Sequence, residues 1–293
     1  MLGTVGDSAS YADTLRLSPD GKWVAATRYE GSNPSDIWLV ELARGVASKF
    51  TFDPAADMSP IWSRDGSHII FRSNRGGHHD LYQKVANGAG EDELLFKSDL
   101  DKVPTNWSRD GRFLLFHTLS DPKTKADQWV LPVSESKGDR KAVPFVNAAY
   151  NEGFGVFSPD MKWIVYQTDA TGRDEIYVRP FTAPVPGGTK AAPAEGQWQV
   201  SKDGGRFPRW SADGKEIFFL SSRGVMSVEV NTVGGFHAGT PQFLFPKPNG
   251  PAEAWDVTAD GKKFLFSSAE GGDAGGAPAP ITVVMNWQAM LKK

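Results

Sequence analysis

The chain of 293 residues contains no cysteine, which removes disulfides, thiolate nucleophiles and cysteine-bound zinc together. No stretch approaches 18 consecutive apolar residues, and the first 20 residues lack a basic start followed by an apolar run. The sequence therefore predicts neither a transmembrane helix nor a signal peptide, and no direct insertion into a membrane. Positive charge is not in excess: 32 Lys and Arg face 35 Asp and Glu, a net charge of -3. A nucleic-acid partner needs a basic stripe to neutralise phosphates, so none is expected. The catalytic signatures are missing too. There is no GxSxG elbow, no HExxH, and no glycine-rich phosphate loop with HRD and DFG, which excludes a kinase or an α/β-hydrolase within this chain. What is present is 40% hydrophobic residues, 31 glycines and 20 prolines, the composition of a loop-rich globular protein.

One pattern recurs six times: LRLSPDGKWVAATR (15–28), IWSRDGSHIIFRS (61–73), NWSRDGRFLLFHT (106–118), VFSPDMKWIVYQT (156–168), RWSADGKEIFFLS (209–221) and DVTADGKKFLFSS (256–268). The turn aspartates Asp20, Asp65, Asp110, Asp160, Asp213 and Asp260 lie 45, 45, 50, 53 and 47 residues apart, the period of a four-stranded propeller blade. In each unit strand a ends just before the turn, in an aromatic in four units (Trp62, Trp107, Phe157, Trp210). Asp-Gly reverses the chain into strand b, an apolar run of the kind buried on both faces. Strand c follows as DIWLVEL (36–42), DLYQKV (80–85), DQWVLPV (127–133), DEIYVRPF (174–181), VMSVEV (225–230) and ITVVMNW (281–287). A shorter, more polar strand d reads SKFTF (48–52), ELLF (93–96), AVPFV (142–146), QWQVS (197–201) and QFLF (242–245). Pro144 suits an edge strand, which tolerates the loss of one backbone donor.

The sequence thus predicts an all-β, six-bladed β-propeller of four-stranded antiparallel blades, forming one domain over residues 1–293. The sixth unit lacks its own strand d, and residues 2–5 (LGTV) are expected to supply it by pairing with 281–287, so that no sheet edge is left open. Met161 stands where the other turns have glycine. Either that turn keeps a positive φ, at about 1 to 2 kcal/mol, or it adopts another form. The Pro/Gly/Ala-rich segments 182–196 and 270–280 read as long surface hairpin loops.

The SPDG-type turn with its preceding tryptophan and a following DIW or DLY strand resembles the WD-repeat-like repeats of TolB-like β-propellers. More narrowly, DIWLVELARG, FTFDPAADM, DLYQKVANGAG and ITVVMNWQAMLKK resemble the propeller that lies C-terminal to the serine/threonine kinase domain of many acidobacterial proteins. That resemblance implies a sensor or protein-interaction module, extracytoplasmic or periplasmic, beyond a membrane span.

Chemistry in a propeller is expected where the a strands begin. Counting back from each turn aspartate nominates Asp13, Asp57, Lys102, Glu152, Arg206 and Glu253 as a charged rim suited to a protein segment, a peptide or a polar small molecule; solvated loop entrances would also be charged. No cofactor is expected. Calcium is the one alternative, since Asp13, Asp57, Glu152 and Glu253 carry hard oxygen donors, but Lys102 and Arg206 oppose it. His78 and His79 are adjacent on a turn and point apart, a poor metal pair. Trp62, Trp107 and Trp210 recur at one blade position and Trp23 and Trp163 at another, as packing between blades requires; Trp198 and Trp255 are expected to be exposed. The function expected is non-catalytic binding or sensing by a monomer. The alternatives are a TolB-like periplasmic scaffold and a small lyase, lactonase or glycosidase, whose paired carboxylates a sequence does not reveal.

Overall fold

The computed structural model describes residues 2–119, 121–133, 140–184, 196–251, 253–267 and 279–285. Among them there are strands and no helices, and no helix long and apolar enough to cross a membrane. The fold is a six-bladed β-propeller of four-stranded antiparallel blades. Its contacts fall into two compact units. One holds Met1–Asp99 and Pro248–Lys293, with blades one, two and six; the other holds Leu100–Lys247, with blades three, four and five.

In the first unit, blade two is the simplest: strands Asp57–Trp62, His68–Ser73, Asp80–Val85 and Glu93–Phe96 pair in that order. Ile69, Ile70 and Phe71 of its strand b are wholly buried, as a continuous apolar run between two packed faces requires. Blades six and one share a strand. Leu2–Leu17 pairs through Leu2 to Val5 with Val284 to Ile281 of blade six, and through Leu15 to Leu17 with Ala26 to Val24 of blade one. The expected closing strand is therefore present, but it runs on as one extended segment into strand a, with irregular register between Val5 and Ala9 and again between Tyr11 and Leu15.

In the second unit, blade three runs Lys102–Trp107, Phe113–Thr118, Gln128–Pro132, Val143–Val146, and blade four Glu152–Phe157, Trp163–Thr168, Glu175–Pro180, Trp198–Gln199. Pro144 sits in the outermost strand opposite Trp129. Blade five has strands Arg206–Trp210, Glu216–Ser221, Gly224–Asn231 and Gln242–Phe245, plus a small hairpin formed by His237–Ala238 on the end of its strand c. The proposed loops at 182–196 and 270–280 fall mostly outside the described residues.

The repeated turn has one construction. In blade two, Ser63 Oγ donates to Asp65 Oδ1 at 2.6 Å and accepts the His68 amide at 2.9 Å, while Asp65 Oδ1 accepts the Ser67 amide at 3.0 Å. These donors, the Ser63 hydroxyl foremost, hold the Asp65 carboxyl down at about 2. The Ser or Thr to Asp bond recurs in all six turns at 2.6 or 2.7 Å. Gly66 has φ 71° and Met161 has φ 60°; Met161 N bonds Ser158 O at 3.0 Å, as Gly66 N bonds Ser63 O at 3.0 Å. The fourth turn thus keeps the glycine geometry with a side chain, at about 1 to 2 kcal/mol, and Met161 recovers part of that by packing on the Phe113 cluster.

Two expectations are corrected. Trp255 is wholly buried, stacked at 6.3 and 6.2 Å on Phe264 and Phe266, and Trp198 is half-buried against Trp163 and Phe236. Nearness to a loop end does not expose a ring that the strand directs into a blade face. Strand d also ends earlier than expected in blades one and four, at Lys49 and Gln199. There Thr51 Oγ1 and Ser201 Oγ take the amides of Ile37 and Ile176 at 3.0 and 2.7 Å, while the Phe50 and Val200 amides still bond the carbonyls of those residues, so side chains replace one bond of the last rung.

Candidate functional site

Asp57, Lys102, Glu152 and Arg206 each begin a strand a, whereas Asp13 lies within Leu2–Leu17 and Glu253 two residues before Trp255–Val257, and their side chains differ in surroundings. The Asp13 side chain lies outside the described residues. Asp57 is wholly buried. Arg75 reaches both its oxygens, at 3.1 and 3.2 Å, and also Asp92 at 2.9 Å, while Lys84 pairs with Asp92 at 3.1 Å and Asp53 lies 3.6 Å from Arg75. The Arg75 guanidinium rests 4.4 Å from the Tyr82 ring centre. Burial pushes the Asp57 carboxyl above the ordinary aspartate range, against the opposing pull of Ser73 and Arg75. Glu253 is half-buried.

In the second unit Lys102 is wholly buried and its Nζ donates to Leu100 O at 2.6 Å. Arg206 is exposed and ion-paired to Asp174. Glu152 is buried, with the Ala148 amide donating to Oε2 at 3.3 Å. Desolvation, above all, raises its carboxyl from 4.5 to about 7, helped by the charges of Asp127 and Asp169. Asp127, itself buried, accepts the Thr124 hydroxyl at 2.6 Å through Oδ2, and its Oδ1 has no hydrogen-bond partner among the described residues. Glu152 holds its proton in the fold to about pH 7 and loses it near 4.5 when unfolded, so stability declines between those values and the penalty is complete above them. Glu152→Gln is expected to raise the melting temperature at pH 8 and leave it unchanged at pH 4. Equal shifts at both pH values would contradict this.

Sequence reasoning missed the acids that open strand c. Asp36, Asp80, Asp127 and Glu175 are all buried. Asp36 pairs with Lys49 at 2.6 Å and Asp80 accepts the Ser98 amide at 3.3 Å. Their signal was the recurrent acid before IW, LY, QW and IY. Asp36, Asp80 and Glu175 anchor the end of strand d or the chain leaving it, whereas Asp127 holds Thr124 of the connection before strand c.

An open space among the described residues lies elsewhere, in the first unit. Between blades one and two is a cleft of about 870 Å³, within the range of ligand pockets. Trp23, Leu39 and Phe50 wall it from blade one and Trp62 and Ala86 from blade two, with Ser48 at its side. The Trp62 indole is fixed by donating to Arg16 O at 3.0 Å. At the mouth are Asp20, Asp65 and Arg64. Asp65 is occupied by its own turn and Asp20 additionally by Lys22 at 3.4 Å. Arg64 is exposed and has no ion-pair or hydrogen-bond partner among the described residues. The cleft therefore combines aromatic walls with one uncommitted guanidinium.

A curated relative, the uncharacterized peptidase YuxL of Bacillus subtilis (strain 168), is 26% identical over 160 residues, 55% of this chain and 22% of that protein. A TolB homolog of Chlorobium chlorochromatii is 32% identical over 107 residues, 36% of this chain and 23% of that protein. The matches thus span less than a quarter of either relative. The structure of a putative TolB from Agrobacterium tumefaciens superposes with a TM-score of 0.60 at 19% identity, covering 81% of this chain and 84% of that one. The model of the TolB beta propeller domain matches residues 4–178, across more than half of the sequence. With its six SPDG-type turns, the chain belongs to the TolB beta propeller domain family.

Proposed function

We propose that this propeller is a non-catalytic binding module that takes a segment of a partner protein in the cleft between blades one and two. The observation that carries the reading is the 870 Å³ cleft, aromatic on its walls, with Arg64 unpaired at its mouth. The charged groups at the starts of the a strands support it by contrast, because Asp57 and Arg206 are already engaged in ion pairs. The test is ligand-observed NMR with capped tripeptides and oligosaccharides on the native chain and on Ser48→Trp, which places a large ring in the cleft. At least one peptide is expected to bind the native chain and to be lost in the variant. A panel in which no member distinguishes the two proteins overturns the reading.

The narrower resemblance in the sequence supports a place for this module as the extracytoplasmic sensor part of a receptor-kinase-like protein, acting as one domain and as a monomer. Reading the gene upstream of the Met1 codon tests that placement: kinase and membrane-span codons in frame are expected, and an in-frame stop would overturn it.

A further inference from the structure

The two blade interfaces of the second unit show what the cleft in the first unit is shaped to receive. Equivalent positions follow from the turn serine and the strand registers. Trp23, five residues after Ser18, corresponds to Phe113 and Trp163, which follow Ser108 and Ser158 by the same interval. Trp62 corresponds to Phe157 and Trp210, each directly before its turn serine. Ser48 pairs with Leu39 as Trp198 pairs with Val178. Ala86, whose amide bonds Ser67 O, corresponds to Phe181 and Val230, whose amides bond Lys162 O and Lys215 O.

Between blades three and four, Phe181 fills the space. Its ring meets Phe113 at 5.6 Å and 75°, and Phe157 at 5.0 Å and 65°. Between blades four and five, Trp198 meets Trp163 at 5.4 Å and 82°, and Phe236, from the chain leading into the extra hairpin, lies 5.4 Å from Trp163 and 5.7 Å from Trp198. In both interfaces an aromatic ring stands edge-on to the ring at the Trp23 position, the geometry favoured by ring quadrupoles. Between blades one and two the corresponding side chains are Ser48 and Ala86, and the Asn87–Gly88 turn stands where blade five extends toward Phe236. Phe50 lines the cleft as well, but among the described residues no ring stands edge-on to Trp23 as Phe181 does to Phe113 and Trp198 to Trp163.

Charge adds a second requirement. Arg64 corresponds to Pro159 and Ala212 in the two filled interfaces and to Arg109 in blade three, so both filled interfaces lack the guanidinium that stands at the open one. We infer that the cleft captures an aromatic side chain of a partner protein segment, edge-on to Trp23, with an adjacent carboxylate on Arg64. The inference rests on the binding reading above and adds the ligand's chemistry. A cleft of about 870 Å³ holds residues flanking the ring as well, which favours a segment over a free aromatic acid.

The test is calorimetry with the capped peptide Gly-Trp-Glu-Gly, its Leu-for-Trp and Gln-for-Glu versions, and free indole-3-acetate. Against the native chain, each replacement is expected to weaken binding about tenfold, as loss of a ring contact or of a charge-assisted bond does. Arg64→Ala is expected to weaken the Glu peptide about tenfold and leave the Gln peptide unchanged, and Ser48→Trp to abolish binding of both. Leu and Trp peptides bound equally, and both lost in Ser48→Trp, would overturn the aromatic inference while leaving binding in the cleft intact. Peptides bound equally by native chain and Ser48→Trp would overturn both. Indole-3-acetate bound as tightly as the peptide would overturn the protein segment in favour of a free acid, and no binding by any probe would overturn the inference.

Discussion

Replacing Asp57 by alanine is expected to destabilise the protein by about 3 kcal/mol, because it removes one partner from a buried ion-pair network. The low end of the usual cost applies, since Arg75 retains Asp92 at 2.9 Å and Asp53 at 3.6 Å. The loss of both Arg75 bonds to Asp57 is compounded by the Ser73 hydroxyl, which also acts on that carboxyl. Asp57→Asn keeps the shape and one acceptor, so it should cost roughly half as much, a split expected when charge and packing both contribute. Arg206→Ala is the control. Its partner Asp174 is near the surface and Arg206 itself is 57% exposed, so the change should stay within about 1 kcal/mol. Equilibrium unfolding in urea reads all three. A near-neutral Asp57→Ala would mean that the Arg75 network contributes nothing net to the fold.

This contrast marks where the sequence stopped being readable. The turn aspartates were legible because each is built from residues within five positions: Ser63, Asp65, Ser67 and His68 form a local motif that repeats whole. Strand b was legible because burial on both faces leaves a continuous apolar run, as at Phe113 to Phe116. The surroundings of Asp57 were not, because Arg75 arrives from the turn after strand b and Asp92 from the turn before strand d. Position along strand a says that a charge is there and says nothing about what faces it. The cleft was hidden for a related reason. Ser48 is unremarkable in SKFTF; it acquires meaning only beside Trp198, and that equivalence depends on pairing registers in two different blades. Trp255 was misjudged because a strand end can still point inward, and its partner across the ladder is Phe266.

Deleting residues 1 to 8 is expected to lower stability by about 3 kcal/mol or more and to make the protein prone to self-association. Leu2 to Val5 pair with Val284 to Ile281, and each ladder bond contributes about 0.5 to 1.5 kcal/mol. Val5 packs, partly buried, on the cluster of Ala9, Leu15, Val24 and Ile281, and this adds up to about 1.5 kcal/mol. Against these stands the backbone entropy of ordering Leu2 to Val5, about 1 to 2 kcal/mol per residue, which offsets much of that gain and leaves the fall in stability to come mainly from the neighbours the segment covers. The larger effect is on what the deletion uncovers: Ile281 and Val284, now wholly or almost wholly buried, would lie on a strand with one bare edge. Such an edge recruits other chains. At about 2 °C per kcal/mol for a chain of this size, the melting temperature should fall by about 6 °C, and light scattering should rise with protein concentration. Leu2 to Val5 would be shown to be a passive extension by an unchanged melting temperature together with concentration-independent scattering, and blade six would then have to be stable with three strands.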